Sequence, residues 1–166
     1  MTQLSIEQKN RLDSLAETVS AAAVYLEQSD RYLSDGYQTT RQVLSHLVFW
    51  QREYVSIAES LVEGREPILR KETYADLNAA AACEFESKSM VDMAHLLLEY
   101  QARLDQVLRQ LPDWEIMYPV KHGGRLKNVA DRLNTIGSHT GHHLKRLQRA
   151  KRRGEGWYQI YFPDNV

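Results

Sequence analysis

The chain has 166 residues, enough for one domain with a sizeable hydrophobic core, and we treat residues 1–166 as that domain. Its 21 lysines and arginines balance 22 aspartates and glutamates, so the global charge argues against a nucleic-acid or membrane-surface partner. The single cysteine, Cys83, excludes an intrachain disulfide and favours a reducing compartment. The sequence shows neither a basic, apolar leader nor a run of about 20 apolar residues, so we predict a cytoplasmic protein without a membrane span.

Apolar residues recur every three or four positions along most of the chain, which is the period of an amphipathic helix. The predicted helices cover about residues 6–28, 40–63, 74–85, 89–111 and 128–152. Hydroxyl side chains stand where caps are needed, with Thr39 or Thr40 before the second helix and Ser89 before the fourth. Four of these helices are long and the one over 74–85 is a short connection.

The pattern contains no strand, no internal repeat and no low-complexity linker, so it predicts an all-α four-helix bundle. A tail begins at about residue 154, where two glycines precede four aromatic residues, Trp157, Tyr158, Tyr161 and Phe162. We expect the tail to fold back on the bundle or to cover a second copy of the chain, which favours a homodimer.

Three histidines carry the most chemical information. His139 and His143 are four residues apart, so they lie on the same side of the last predicted helix. His46 lies in an apolar stretch of the second helix and can supply a third nitrogen from across the bundle. A turn of about 100° per residue places His139 and His143 at the edge of the apolar face and His142 toward solvent. Three protein ligands leave one coordination position open, as in catalytic metal sites. The alternative is that these are hydrogen-bonded core histidines.

The remaining candidates are weaker. His95 lies opposite the apolar face of its helix, and His122 is either a turn residue or a lid over the site. Cys83 follows four alanines, so we expect a packed structural thiol rather than a nucleophile. Thr140 stands where a zinc peptidase has its glutamate base, and the glutamates of a carboxylate-bridged di-iron site are missing.

These segments resemble the DinB (YfiT-type) metalloprotein family. The first histidine lies in VLSHLVFW at 43–50, and the later histidines lie in HTGHHL at 139–144. The lead-in over 37–43 and the connecting element YADLNA at 74–79 are also similar to those of the family. The resemblance spans nearly the whole chain apart from the tail.

The resemblance implies an up-down-down-up four-helix bundle and frequent homodimers. It also implies that His46, His139 and His143 hold a divalent transition metal, zinc or nickel. Related proteins include transferases and isomerases that use thiols such as bacillithiol or mycothiol, and also proposed hydrolases and stress-induced proteins without a known reaction. We rank thiol transfer above hydrolysis, because no base for activating water stands near the ligands in the sequence.

For a small-molecule substrate, Trp50 and Tyr54 follow His46 at helical spacing and can form an apolar wall. Arg41 is a candidate for an anionic group on a thiol cofactor, or else a solvated residue of the first helical turn. A different class of function is a non-catalytic binding module that uses the basic end of the last helix, residues 145–153. The near-neutral total charge and the helix dipole, which favours basic residues at a helix end, argue against nucleic-acid binding there.

Overall fold

The computed structural model describes residues 3–154, so the predicted aromatic tail lies outside the described residues. The helices are α1 (Ile6–Glu27), α2 (Thr40–Val62), α3 (Tyr74–Glu84), α4 (Met90–Leu108) and α5 (Val129–Arg153). The described part contains no strand, only two isolated antiparallel bridges, Ser34 with Thr39 and Tyr118 with Lys127. The all-α prediction is therefore confirmed, and α4 is the only helix whose predicted end differs by three residues.

Each helix begins at a residue whose side chain accepts a hydrogen bond from the first turn. The N-caps are Ser5, Thr39, Thr73, Ser89 and Asn128. In α1 and α2 the glutamine three residues later returns a bond to the backbone of the cap, which completes a capping box. These local signals explain why the helix starts were readable from the sequence.

Side-chain contacts give the directions of the helices relative to α1. Arg109, just after the end of α4, lies 3.6 Å from Asp13 near the start of α1, so these two helices are antiparallel. Arg11 donates to Asn134 near the start of α5 at 3.1 Å, so α1 and α5 are parallel.

The direction of α2 follows from its contacts with α4. Arg103 contacts Glu59 at 2.7 Å late in both helices, and the buried Gln51 amide donates to Gln101 at 2.6 Å halfway along them. These helices are therefore parallel to each other and antiparallel to α1 and α5. The bundle has the up-down-down-up topology that the family resemblance implied.

Side chains from all four long helices meet in the core. The largest fully buried ones include Leu12 and Leu26 from α1, Leu44 from α2, Met93 and Leu97 from α4, and Leu147 from α5. Within residues 3–154, no helix combines the length and the apolar character needed to cross a bilayer. The helices α2 and α5 are antiparallel, and a contact between His46 and His139 places the first turns of α2 beside the middle of α5.

Candidate metal centre

The three histidines singled out by the sequence come together between α2 and α5. The Nε2 atom of His139 lies 3.1 Å from Nε2 of His46 and 3.0 Å from Nε2 of His143. One ligand atom from each residue lies within 4.8 Å of the others, and no further His, Cys, Asp or Glu side chain of the described residues joins this group. His46 and His143 are buried, whereas His139 is partly exposed.

This arrangement suits a metal ion better than a set of hydrogen bonds. A neutral imidazole nitrogen carries either one hydrogen or one lone pair, so Nε2 of His139 can bond conventionally to only one of its two neighbours. Three nitrogens at zinc-ligand distances in a tetrahedral site are separated by about 3.3 Å. The observed separations of 3.0 and 3.1 Å lie close to that value. The residues therefore fit a divalent transition metal with at least one open position.

The environment keeps the imidazoles neutral. Burial, followed by the neighbouring His139, lowers the pKa of His46 to about 4. Burial, then His139 and His46, lowers the pKa of His143 to about 3. Burial also lowers the pKa of His139. At neutral pH each ring is therefore uncharged and has a nitrogen lone pair available to a cation.

Asn78 on α3 orients His46 from behind. Its Oδ1 atom lies 2.7 Å from Nδ1 of His46, so this nitrogen carries the hydrogen and Nε2 carries the lone pair. The indole Nε1–H of Trp50 donates to the same oxygen at 3.4 Å. His143 has no such support, because its Nδ1 is buried without a hydrogen-bond partner among residues 3–154. The sequence analysis assigned no role to Asn78, although it noted the segment that contains this residue.

An aromatic group lies beside Asn78. The Trp50 ring centroid is 5.5 Å from that of Tyr74 and 6.2 Å from that of Tyr54. Trp50 is buried, Tyr54 is half-buried and Tyr74 is more than half exposed. Burial raises the pKa of Tyr54 to about 12, so its hydroxyl stays protonated. The structure thus places Trp50 and Tyr54 next to the residues around His46, and their contact with a substrate stays a prediction.

The side chain of Arg41, predicted to bind an anionic group or to be solvated, contacts backbone carbonyl oxygens. Its Nη2 atom lies 2.7, 2.5 and 2.7 Å from the carbonyl oxygens of Phe85, Glu86 and Lys88. This arginine holds the turn between α3 and α4 against the start of α2. Its role as an anion-binding residue stays a prediction that these contacts do not favour.

The other sequence candidates fall outside the histidine group. His95 and His142 are exposed, as expected. His122 is exposed and its backbone N–H donates to the carbonyl of Arg70 at 2.9 Å, which joins two loops. The expectation of a packed Cys83 was wrong, because this thiol is exposed. The short α3 buries Leu77 and Ala81, and Cys83, two residues beyond Ala81, lies on another face.

Comparison with known proteins finds a family match for this chain. No curated protein and no solved structure is similar enough to this chain to be matched. A family model described as the DinB superfamily matches residues 5–147, a range that contains all three histidines and Asn78. The chain therefore belongs to the DinB superfamily.

Proposed function

We propose that this protein is a metal-dependent enzyme of the thiol transferase type that acts on a small molecule. His46, His139 and His143 hold one divalent transition metal, zinc or nickel. The observation that supports this most directly is the convergence of three Nε2 atoms at separations of 3.0 and 3.1 Å. Imidazole nitrogens suit zinc and nickel, whereas magnesium and calcium prefer oxygen ligands.

A bound divalent ion supplies positive charge that lowers the pKa of a coordinated thiol and yields a thiolate near neutral pH. The chain contributes three uncharged ligands, so none of the positive charge is neutralised by a carboxylate. Asn78 fixes the ring of His46, and Trp50 fixes Asn78 in turn. Trp50 and Tyr54 offer an apolar wall for an electrophilic substrate.

A metal-dependent hydrolase is the alternative within the same site. Hydrolysis requires a base for water, and the histidine group includes no carboxylate among the described residues. His142 is a candidate base, because it lines an open pocket together with His139 and Ser138. Thiol transfer does not require such a base, since the metal-bound thiol loses its proton readily, so we rank it first.

We also propose that the protein is a cytoplasmic homodimer. The exposed thiol of Cys83 is compatible with a reducing compartment. The aromatic residues of the tail and the frequent homodimers of the family support the proposed dimer.

Elemental analysis of untagged protein should find about one divalent transition metal per chain. His143→Ala should abolish metal retention because it removes a buried ligand, whereas His142→Ala should keep the metal because this ring is exposed. The two variants remove the same side chain at adjacent positions, so each controls for the other. Metal loss in His142→Ala alone would show that the wrong face of α5 has been assigned to the site.

Asn78→Ala should weaken metal affinity by about 10- to 100-fold without removing a ligand, because the ring of His46 loses the acceptor that orients it. The affinity is measured by competition with a chromogenic chelator. Asn10→Ala, an exposed asparagine on α1, is the matched control and should leave the affinity unchanged. Equal affinities for Asn78→Ala and Asn10→Ala would remove Asn78 from the site.

Metal-loaded protein should accelerate conjugation of an electrophile to a low-molecular-weight thiol. His46→Ala should lower this rate to that of chelator-treated protein, while His95→Ala, which alters an exposed histidine on α4, should keep it. Far-ultraviolet circular dichroism verifies that both variants keep their helices. Equal rates for His46→Ala and His95→Ala with every thiol would refute metal-dependent thiol transfer and leave the hydrolase to be tested with esters and amides.

Light scattering of the full chain should give twice the mass of one chain. Deletion from Trp157 onward should lower that mass or destabilise the bundle, because the apolar surface that the aromatic residues are proposed to cover becomes exposed to solvent. A stable monomer both before and after the deletion would contradict the dimer.

A further inference from the structure

A second polar pocket lies close to the histidine group, between the loop before α2 and the last turns of α5. It has a volume of about 430 Å³, and its lining includes Asp35, Tyr37, Arg146, Arg149 and Arg153. None of these residues contributes to the histidine group. Among the described residues, its lining contains three guanidinium groups and a single carboxylate.

The carboxylate of Asp35 holds one of these arginines in place. Its side chain is only 1% exposed, and its Oδ1 atom accepts from the backbone N–H groups of Tyr37 and Gln38 at 2.9 and 2.8 Å. The other oxygen, Oδ2, lies 3.2 Å from Nε of Arg146. The guanidinium of Arg146 also lies over the ring of Tyr37, 4.5 Å from its centroid. Arg146 is therefore paired with Asp35 and packed on the ring of Tyr37.

Arg149 supplies charge that the described residues do not neutralise. It is exposed, it lines the pocket, and it has no ion-pair or hydrogen-bond partner among residues 3–154. The dipole of α5 favours basic residues at this end of the helix but is equivalent to only about half an elementary charge. It therefore offsets only part of the charge of Arg149.

The pocket is close to the histidine group along the same helix. Arg146 follows His143 by three residues, which is a rise of about 4.5 Å on the same side of α5. The loop that carries Asp35 leads directly into α2, where His46 lies in the second turn. Arg149 follows His143 by six residues, which is a rise of about 9 Å along α5, so a thiol must be several bonds long to contact both.

We propose that this pocket binds the carboxylate of an anionic low-molecular-weight thiol whose sulfur reaches the three-histidine site. The inference rests on the proposed thiol chemistry and names the class of thiol that it uses. Guanidinium groups bind carboxylates with charge-assisted hydrogen bonds, and Arg149 is the group available for this contact. In this proposal Arg149, rather than Arg41, binds the anionic group of the thiol.

The test measures thiol binding to the zinc-loaded full chain by calorimetry. It compares mercaptoalkanoates that have two to five methylene groups with their neutral amides. The acid of the best-fitting length should bind about tenfold or more tightly than its amide, because one charge-assisted bond is gained. Arg149→Gln should abolish this preference without changing the affinity for the amide. Arg152→Gln removes the same charge one turn later but outside the pocket, and it should keep the preference.

A second measurement separates this inference from the proposed function. Glutarate, which has no thiol, should bind chelator-treated protein and lose about tenfold in affinity in Arg149→Gln but not in Arg152→Gln. That result without any thiol conjugation would refute thiol transfer while supporting the anion pocket. Metal-dependent conjugation with equal acid and amide affinities in wild type and Arg149→Gln would refute the pocket while supporting thiol transfer. Equal losses in the two arginine variants would also overturn the proposal, since they indicate only a general effect of charge.

Discussion

The position of His139 between two other imidazoles is the constraint on which the rest of the site depends. Its Nε2 atom lies 3.1 Å from that of His46 and 3.0 Å from that of His143, and neutral rings cannot satisfy both contacts by hydrogen bonding. A cation between the three nitrogens removes this conflict. The bundle must therefore pack the second turn of α2, which carries His46, against the middle of α5, which carries His139 and His143. In the up-down-down-up topology these two helices are antiparallel.

Local patterns in the sequence predicted the helices and singled out all three histidines. The N-caps Thr39 and Ser89 act within four residues, and the pairing of His139 with His143 needs only one helical turn. The contribution of His46 depends on how two helices pack, so the sequence alone left the core-histidine alternative open. The family resemblance favoured the metal site, and the observed distances now give it a physical basis.

Contacts between distant residues were beyond the reach of periodicity. Asn78 contacts His46 although the two residues are 32 positions apart in the sequence. No sequence pattern indicates that an asparagine on a short helix accepts a hydrogen bond that orients a histidine ring. The contacts of Arg41 were out of reach for the same reason, because the carbonyls that it binds belong to a turn more than 40 residues away. The exposure of Cys83 follows from the packing of α3, which buries only Leu77 and Ala81, and the alanines before it gave no sign of which face is buried.

The distribution of charge in and near the histidine group is compatible with the two proposed sites acting in one reaction. His46 and His143 are buried and the pKa of all three histidines is lowered, so the group is neutral and would leave the charge of a bound ion available to an anionic sulfur. A fixed cation beside the metal would oppose its binding, and the protein reduces this effect at Arg146 by pairing it with the buried carboxylate of Asp35. Arg149 lies one turn farther along α5, where solvent screens its charge from the metal. An anionic group on a substrate can therefore be recognised near the metal without a large loss of metal affinity.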